Sequence, residues 1–264
     1  MDQLLEAIFL GMVQGIAEWL PISSTAHLRL TELFLGLRLP ILFDVTLHAG
    51  TLAVIFVFFR HDIRNILTAL VHADFKTEYG RLIPLILVGS IPTAMIGLFL
   101  GEQIESVFSN AVPIAAALMI TGMLLFTSKM AREKTDTISY RTALVFGLAQ
   151  GIAIVPGISR SGTTIAVALL LGLRREKAFR FSFLLSVPAI VGALGLTAFR
   201  EHADLSAAGV GVVEVLAGTV VAMVVGFFAL KLLWRSLQKE RFYLFAFYCW
   251  ILGIATLTAS LVAS

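Results

Sequence analysis

Cysteine occurs once, at Cys249 inside an apolar run, so the sequence offers neither a disulfide framework nor a thiolate metal site. Its expected part is that of a small buried hydrophobe. Charge is also scarce. Asp, Glu, Lys and Arg make up 14% of the 264 residues, the net charge is only +3, and the basic residues sit in short clusters. That pattern argues against nucleic-acid binding and for orientation in a membrane. Residues 1–20 lack a basic leader and carry Asp2, Glu6 and Glu18, so a cleavable export signal is not expected. What fills the sequence instead is apolar: 58% of residues are hydrophobic and mean hydropathy is +0.93. A soluble domain of this length has no core large enough to hold them, which implies an integral membrane protein.

A spanning helix needs roughly 20 mostly apolar residues. Six runs meet this length, at about 41–59, 82–100, 111–128, 178–199, 209–230 and 242–262. Four connecting segments, 60–81, 129–141, 174–180 and 231–241, each hold four Lys or Arg, together sixteen of the twenty in the chain. The positive-inside rule places these four in the cytoplasm and both termini outside.

Two stretches do not fit the spanning pattern. Segment 142–173 carries one charge, Arg160, and is broken by "PGISRSG" between two basic segments. A re-entrant pair of half-helices keeps both flanks on one side; a single kinked span is the alternative. Residues 1–40 contain a related motif: "QGIAEWLPISSTAH" from Gln14 and "QGIAIVPGISRSGTT" from Gln150 share Q-G-I-A and then I-S, 136 positions apart. Each half, about 1–135 and 136–264 of a single membrane domain, then holds one re-entrant pair and three spans. Three is odd, so the halves are expected to be inverted, bringing their broken helices together near the bilayer midplane. The expected fold is an all-α polytopic membrane protein with six transmembrane helices, two re-entrant helix pairs and an inverted-topology repeat.

The two loops differ in chemistry. Gln14 and Glu18, four apart, share a helix face, and a carboxylate at membrane depth faces a cavity, a partner or an ion. Leu20-Pro21 ends that helix. Ser23, Ser24 and Thr25 can cap the next one, with His27 in its first turn. In the second loop Pro156-Gly157 breaks the chain and Ser159–Thr164 starts a half-helix, whose N–H groups suit an anion. Arg160 adds a fork of donors matched to phosphate oxygens. A phosphate-bearing ligand bridging the loops is the simplest reading. Glu18 with Gln14 can hold a divalent cation such as Mg2+ or Ca2+. Ser24 can attack phosphorus with His27 as base, or His27 can activate water. The bland alternatives are that the serines and His27 only cap and pack, and that Arg160 only locks the fold against Glu18.

These residues resemble a known family. "QGIAEWLPISSTAH" is similar to the signature [E/Q]-G-x-x-E-x-L-P-x-S-S-x-x-H, and "PGISRSGTT" to P-G-x-S-R-S-G-x-T, of the undecaprenyl-diphosphatases of the bacitracin-resistance (BacA/UppP) type. "FDVTLHAGTLAV" and "FRFSFLLSVPAI" extend the likeness over essentially the whole chain. The resemblance implies hydrolysis of undecaprenyl diphosphate to the monophosphate in the bacterial inner membrane. That reaction recycles the cell-wall lipid carrier, and the site would open to the periplasm. It implies catalytic roles for Glu18, Ser24, His27 and Arg160, and substrate contacts from Ser23, Thr25, Gly157, Ser159, Arg160, Ser161 and Thr164. Gln14 and Glu18 fall at the acidic pair; glutamine brings no charge where many members carry glutamate. A homodimer is compatible with the sequence.

A polyprenyl-phosphate flippase is the competing function, since inverted re-entrant repeats also build transporters; a structural or channel role leaves the Glu-Ser-Ser-His cluster without a purpose. Asp44 and His48 can support the site or simply cap and pair. His61, His72 and His202 are expected to be solvated. Trp19 is expected as an interfacial anchor or at the lipid entrance.

Overall fold

A chain this apolar must satisfy its backbone polar groups internally, and in lipid only helices or closed barrels do so. The computed structural model, which describes residues 3–36, 41–108, 110–200 and 211–263, takes the helical solution. Among these residues the only strand-like pairing is an isolated bridge between Thr135 and Leu173. Among the described residues five helical stretches are long and apolar enough to cross a membrane: α5 (Leu82–Val107), α6 (Ala111–Thr127) continued by a 3-10 turn to Met130, α9 (Arg175–Arg200), α10 (Val212–Gln238) and α11 (Phe245–Ala263) with the 3-10 turn before it. They coincide with five of the six expected runs. The chain is a multi-pass membrane protein.

The sixth run is α3 (Ile41–Phe58), and here the fold adds something. The chain bends by 80° and continues as α4 (Arg60–Val71) inside the expected loop 60–81. Ile63 and Ile66 of α4 pack on the core while Leu67, Leu70 and Val71 are exposed. Apolar residues at this three-and-four spacing make a one-sided stripe that a search for long runs passes over.

The two motif stretches form helix–break–helix pairs. They are α1 (Gln3–Trp19) with α2 (Ser24–Leu35), and α7 (Tyr140–Ile152) with α8 (Arg160–Leu170). At 17, 12, 13 and 11 residues, none reaches the roughly 20 needed to cross alone. Each pair leans on a long helix of the other half of the chain, α1 on α10 and α7 on α5. Glycine makes both contacts close. A Cβ on Gly15 would stand 2.7 Å from the carbonyl oxygen of Ala222, and one on Gly147 would strike that of Gly89. Gly11 and Gly15 lie 136 positions before Gly147 and Gly151, the offset that separates Gln14 from Gln150. The repeat therefore extends upstream as a small-xxx-small helix contact, the packing device of membrane interiors.

Ion pairs tie the basic segments together at one end of the molecule. Glu78 Oε1 accepts from Lys177 Nζ at 2.6 Å and Arg180 Nη1 at 3.1 Å, and Arg180 also pairs with Asp62. Arg175 reaches Glu133 at 2.7 Å and Glu240 at 3.1 Å. Segments 60–81, 129–141, 174–180 and 231–241 thus meet. The hydrogen bond from Lys177, with the charges of Lys177 and Arg180, holds the Glu78 carboxyl below the ordinary glutamate range. Glu133 is held down likewise, chiefly by the backbone N–H of Arg175.

Candidate active site

The tips of the two broken pairs touch. After Leu20-Pro21 ends α1, Ser23 takes φ 70°, rare for a residue with a side chain. Its hydroxyl does not cap α2; it accepts the N–H of Gly157 at 3.1 Å, across 134 residues of sequence. Ser161 Oγ donates to Leu20 O at 3.3 Å from the other side. Gly157 itself has φ 101°, and a Cβ there would come 2.6 Å from Ile114 O, so only glycine lets this tip pass under α6. Ser159, expected as a substrate contact, caps α8, accepting from Gly162 N at 3.1 Å.

At this junction Glu18, 7% exposed, gathers the polar groups of both loops. Its Oε1 pairs with Arg160 Nη2. Its Oε2 accepts from Ser24 Oγ at 2.7 Å and from Gln14 Nε2 at 3.1 Å, and lies 3.6 Å from His48 Nε2. Arg160 Nη1 is buried with no hydrogen-bond partner among the described residues. The guanidinium lies over the ring of Trp19, 5.6 Å from its centroid. Trp19 is fully buried and packs edge-on against Phe183 at 5.5 Å, so it is a floor beneath the site and neither an interfacial anchor nor a lipid entrance.

A cavity of about 770 Å³ opens from this cluster. Glu18, Ser23, Ser24, Thr25, Ser159 and Arg160 line it at one end. Most of its remaining wall comes from the N-terminal half of α3 (Asp44–His48), the middle of α5 (Ser90–Leu98) and the C-terminal half of α9 (Pro188–Thr197), with residues from Gln150 to Ile158 of the second loop adding to it. These stretches lie toward the end of the molecule away from the basic segments.

Not every expected site residue reaches the cavity. Ser161 and Gly157 are spent on the contact between tips, and Thr164 Oγ1 is fully buried, donating to Arg160 O at 2.8 Å and touching Ser182 Oγ. His27 turns away from Ser24. Its Nδ1 is 2.8 Å from Ser23 O, a carbonyl that can only accept, so Nδ1 carries the proton. Nε2 then accepts from Tyr248 OH at 2.7 Å, and the two rings stack. Both ring nitrogens are used. His48 has the same Nδ1 bond, to Asp44 O at 2.8 Å, but its Nε2 is left facing Glu18 on the cavity wall. Asp44 and His48 therefore meet through a backbone carbonyl rather than by side-chain pairing. His61 and His72 are exposed; His202 lies outside the described residues.

Comparison with known proteins now bears on these groups. The family described as bacitracin resistance protein BacA matches residues 7–255. A protein named undecaprenyl-diphosphatase from Desulforapulum autotrophicum is 42% identical over 99% of this chain and all of its own length. Namesakes from Methanosphaera stadtmanae and Korarchaeum cryptofilum are each 40% identical, over 99% and 97% of this chain and 100% and 99% of their own. The chain belongs to the BacA family.

In this BacA-family chain the residues expected to hold a divalent cation form a hydrogen-bonded pair instead. Gln14 turns its amide N–H toward Glu18, and both Glu18 oxygens already receive donors. Among the described residues no three His, Cys, Asp or Glu side chains are grouped as a metal site. The donor set as arranged does not fit a protein-held cation.

Proposed function

We propose that the chain hydrolyses undecaprenyl diphosphate to undecaprenyl phosphate and inorganic phosphate at the Glu18–Ser24–Arg160 centre. One observation carries this reading. A serine hydroxyl donates to a buried carboxylate while a buried guanidinium nitrogen beside it has no partner, both on the wall of one cavity. This is a nucleophile with its base next to a donor held for an anion. The names of the relatives supply the substrate, and the apolar wall along α5 and α9 suits a lipid whose tail stays in the bilayer.

In the first step Ser24 Oγ attacks the terminal phosphorus and its proton passes to Glu18 Oε2. The bridging P–O bond breaks, and undecaprenyl phosphate leaves with the electron pair. Arg160 Nη1 takes the phosphate charge while Nη2 keeps Glu18 in place. Water then adds to the phosphoserine and gives a proton to His48 Nε2, and Ser24 Oγ departs with the proton that Glu18 held. A divalent cation, Mg2+ or Ca2+, would be held by the diphosphate oxygens rather than by Glu18 and Gln14, and would supply neutralisation of the diphosphate charge. The halves are an inverted repeat, with the basic end in the cytoplasm. The cavity, lined by both halves, lies toward the opposite end of the molecule, so the site faces the periplasm of a bacterial inner membrane.

The test is phosphate release from undecaprenyl diphosphate by purified protein in detergent. Arg160→Ala and Glu18→Ala should each fall by on the order of 10²–10³ in turnover. Ser24→Ala should lose turnover and the acid-stable phosphoprotein trapped in the parent. Release by the parent no faster than background sinks the enzyme; full activity in Ser24→Ala leaves water as the nucleophile.

A further inference from the structure

Gln14 decides how the charge of Glu18 is balanced. It is 0% exposed and does not line the cavity, so it stands behind Glu18 and sees nothing but its neighbours. Its Nε2–H donates to Glu18 Oε2 at 3.1 Å, and its own oxygen has no hydrogen-bond partner among the described residues. To offer that oxygen to a cation, the amide would have to reverse and lose its bond to the carboxylate. The other donors to Glu18, Ser24 and Arg160, would compete for the same lone pairs. The centre holds one carboxylate against one guanidinium and is neutral without an ion. A glutamate at position 14 would change this. Two buried carboxylates four residues apart on one helix face repel at close range, so the pair either keeps one proton or ionises fully around a cation.

We propose that in this chain the Gln14 amide stands in for a protein-bound divalent cation, so that the site holds no such ion until substrate arrives, and that Gln14→Glu alone converts it into a cation site. This builds on the reading of Glu18 as part of the reacting centre. It goes further in assigning position 14 as the switch between amide-supported and metal-supported forms. Mg2+ and its analogue Mn2+ are the expected occupants, being hard ions bound by carboxylate oxygen.

The experiment counts bound Mn2+ by electron paramagnetic resonance on chelator-stripped protein in detergent, without lipid substrate. The proteins are the parent, Gln14→Glu, Glu18→Gln and the double variant. The parent and Glu18→Gln should show the same background. Gln14→Glu should gain one Mn2+ per chain, displaced by Mg2+ and absent from the double variant. Its thermal midpoint should rise with Mg2+ while that of the parent does not move. An ion in the parent that Glu18→Gln removes overturns the proposal, as does no gain in folded Gln14→Glu. If Gln14→Glu does not fold, the comparison of parent with Glu18→Gln decides alone. Because no substrate is present, loss of phosphate release in every protein would sink the phosphatase reading and leave the ion counts standing.

Discussion

At the scale of single residues the site is decided by which atoms still have something to give. The motif puts His27 three residues after Ser24, yet its two ring nitrogens are committed to Ser23 O and Tyr248 OH. His48, on a different helix, keeps a ring nitrogen beside Glu18. His48→Ala should therefore lower kcat by on the order of 10²-fold, the usual contribution of a positioned acid–base group. His27→Ala should keep most of its rate and lose thermal stability instead, and Tyr248→Phe should reproduce that loss. Phosphate release and thermal midpoints on the same preparations separate the two; a rate collapse in His27→Ala with full activity in His48→Ala reverses the assignment. The meeting of Glu18, Ser24 and Arg160 was legible in the sequence because all three lie in the two related motifs. His48 was legible only as a supporting residue, since nothing local places it against Glu18.

At the scale of elements, close helix contact does what a bulky core does in a soluble protein. Glycine lets α7 approach α5 to backbone distance, and a side chain at Gly147 has nowhere to go but the carbonyl of Gly89. Gly147→Leu should abolish recovery of monodisperse protein. Gly101→Ala, with nothing within 4 Å of the new atom, should leave it unchanged or stabilise α5 by up to about 1 kcal/mol. Size-exclusion profiles and thermal midpoints compare the two. Loss of the Ser159 cap in Ser159→Ala should cost about 1 kcal/mol. The long helices were legible from run length alone. The bent α3–α4 unit was not, because α4 alternates apolar and polar residues and its packing, not its length, makes it a helix of the fold.

At the scale of the whole molecule, charge gathers at one end and the cavity lies toward the other. On the proposed orientation, a cysteine replacing Asp136 should react with a membrane-impermeant maleimide only after the inner membrane is opened. Labelling in intact cells would invert the topology. The ion pairs at this end also give an expected pH response. Glu78 is held below the ordinary glutamate range, so its contribution is complete above that range and is lost as pH falls through its lowered value. Thermal midpoints measured downward from neutral pH should therefore drop in acid for the parent and drop less for Glu78→Gln, which has already lost the pairs with Lys177 and Arg180.

The amino-acid sequence by itself determined that this chain lives in a membrane, where its long helices run, which basic segments share an end and which polar residues the two motifs carry. Those properties depend on composition, run length and side chains within one short motif. Only the tertiary structure decided that Ser24 answers to Glu18 and not to His27, and that Ser161 and Gly157 hold the tips together while Thr164 is buried against Ser182. It also decided that Arg160 Nη1 has no hydrogen-bond partner among the described residues. Each of these is a question of which hydrogen-bond partner is nearest. The partners that join the two loops are brought together by helices more than a hundred residues apart, packed through glycines that carry no chemistry of their own.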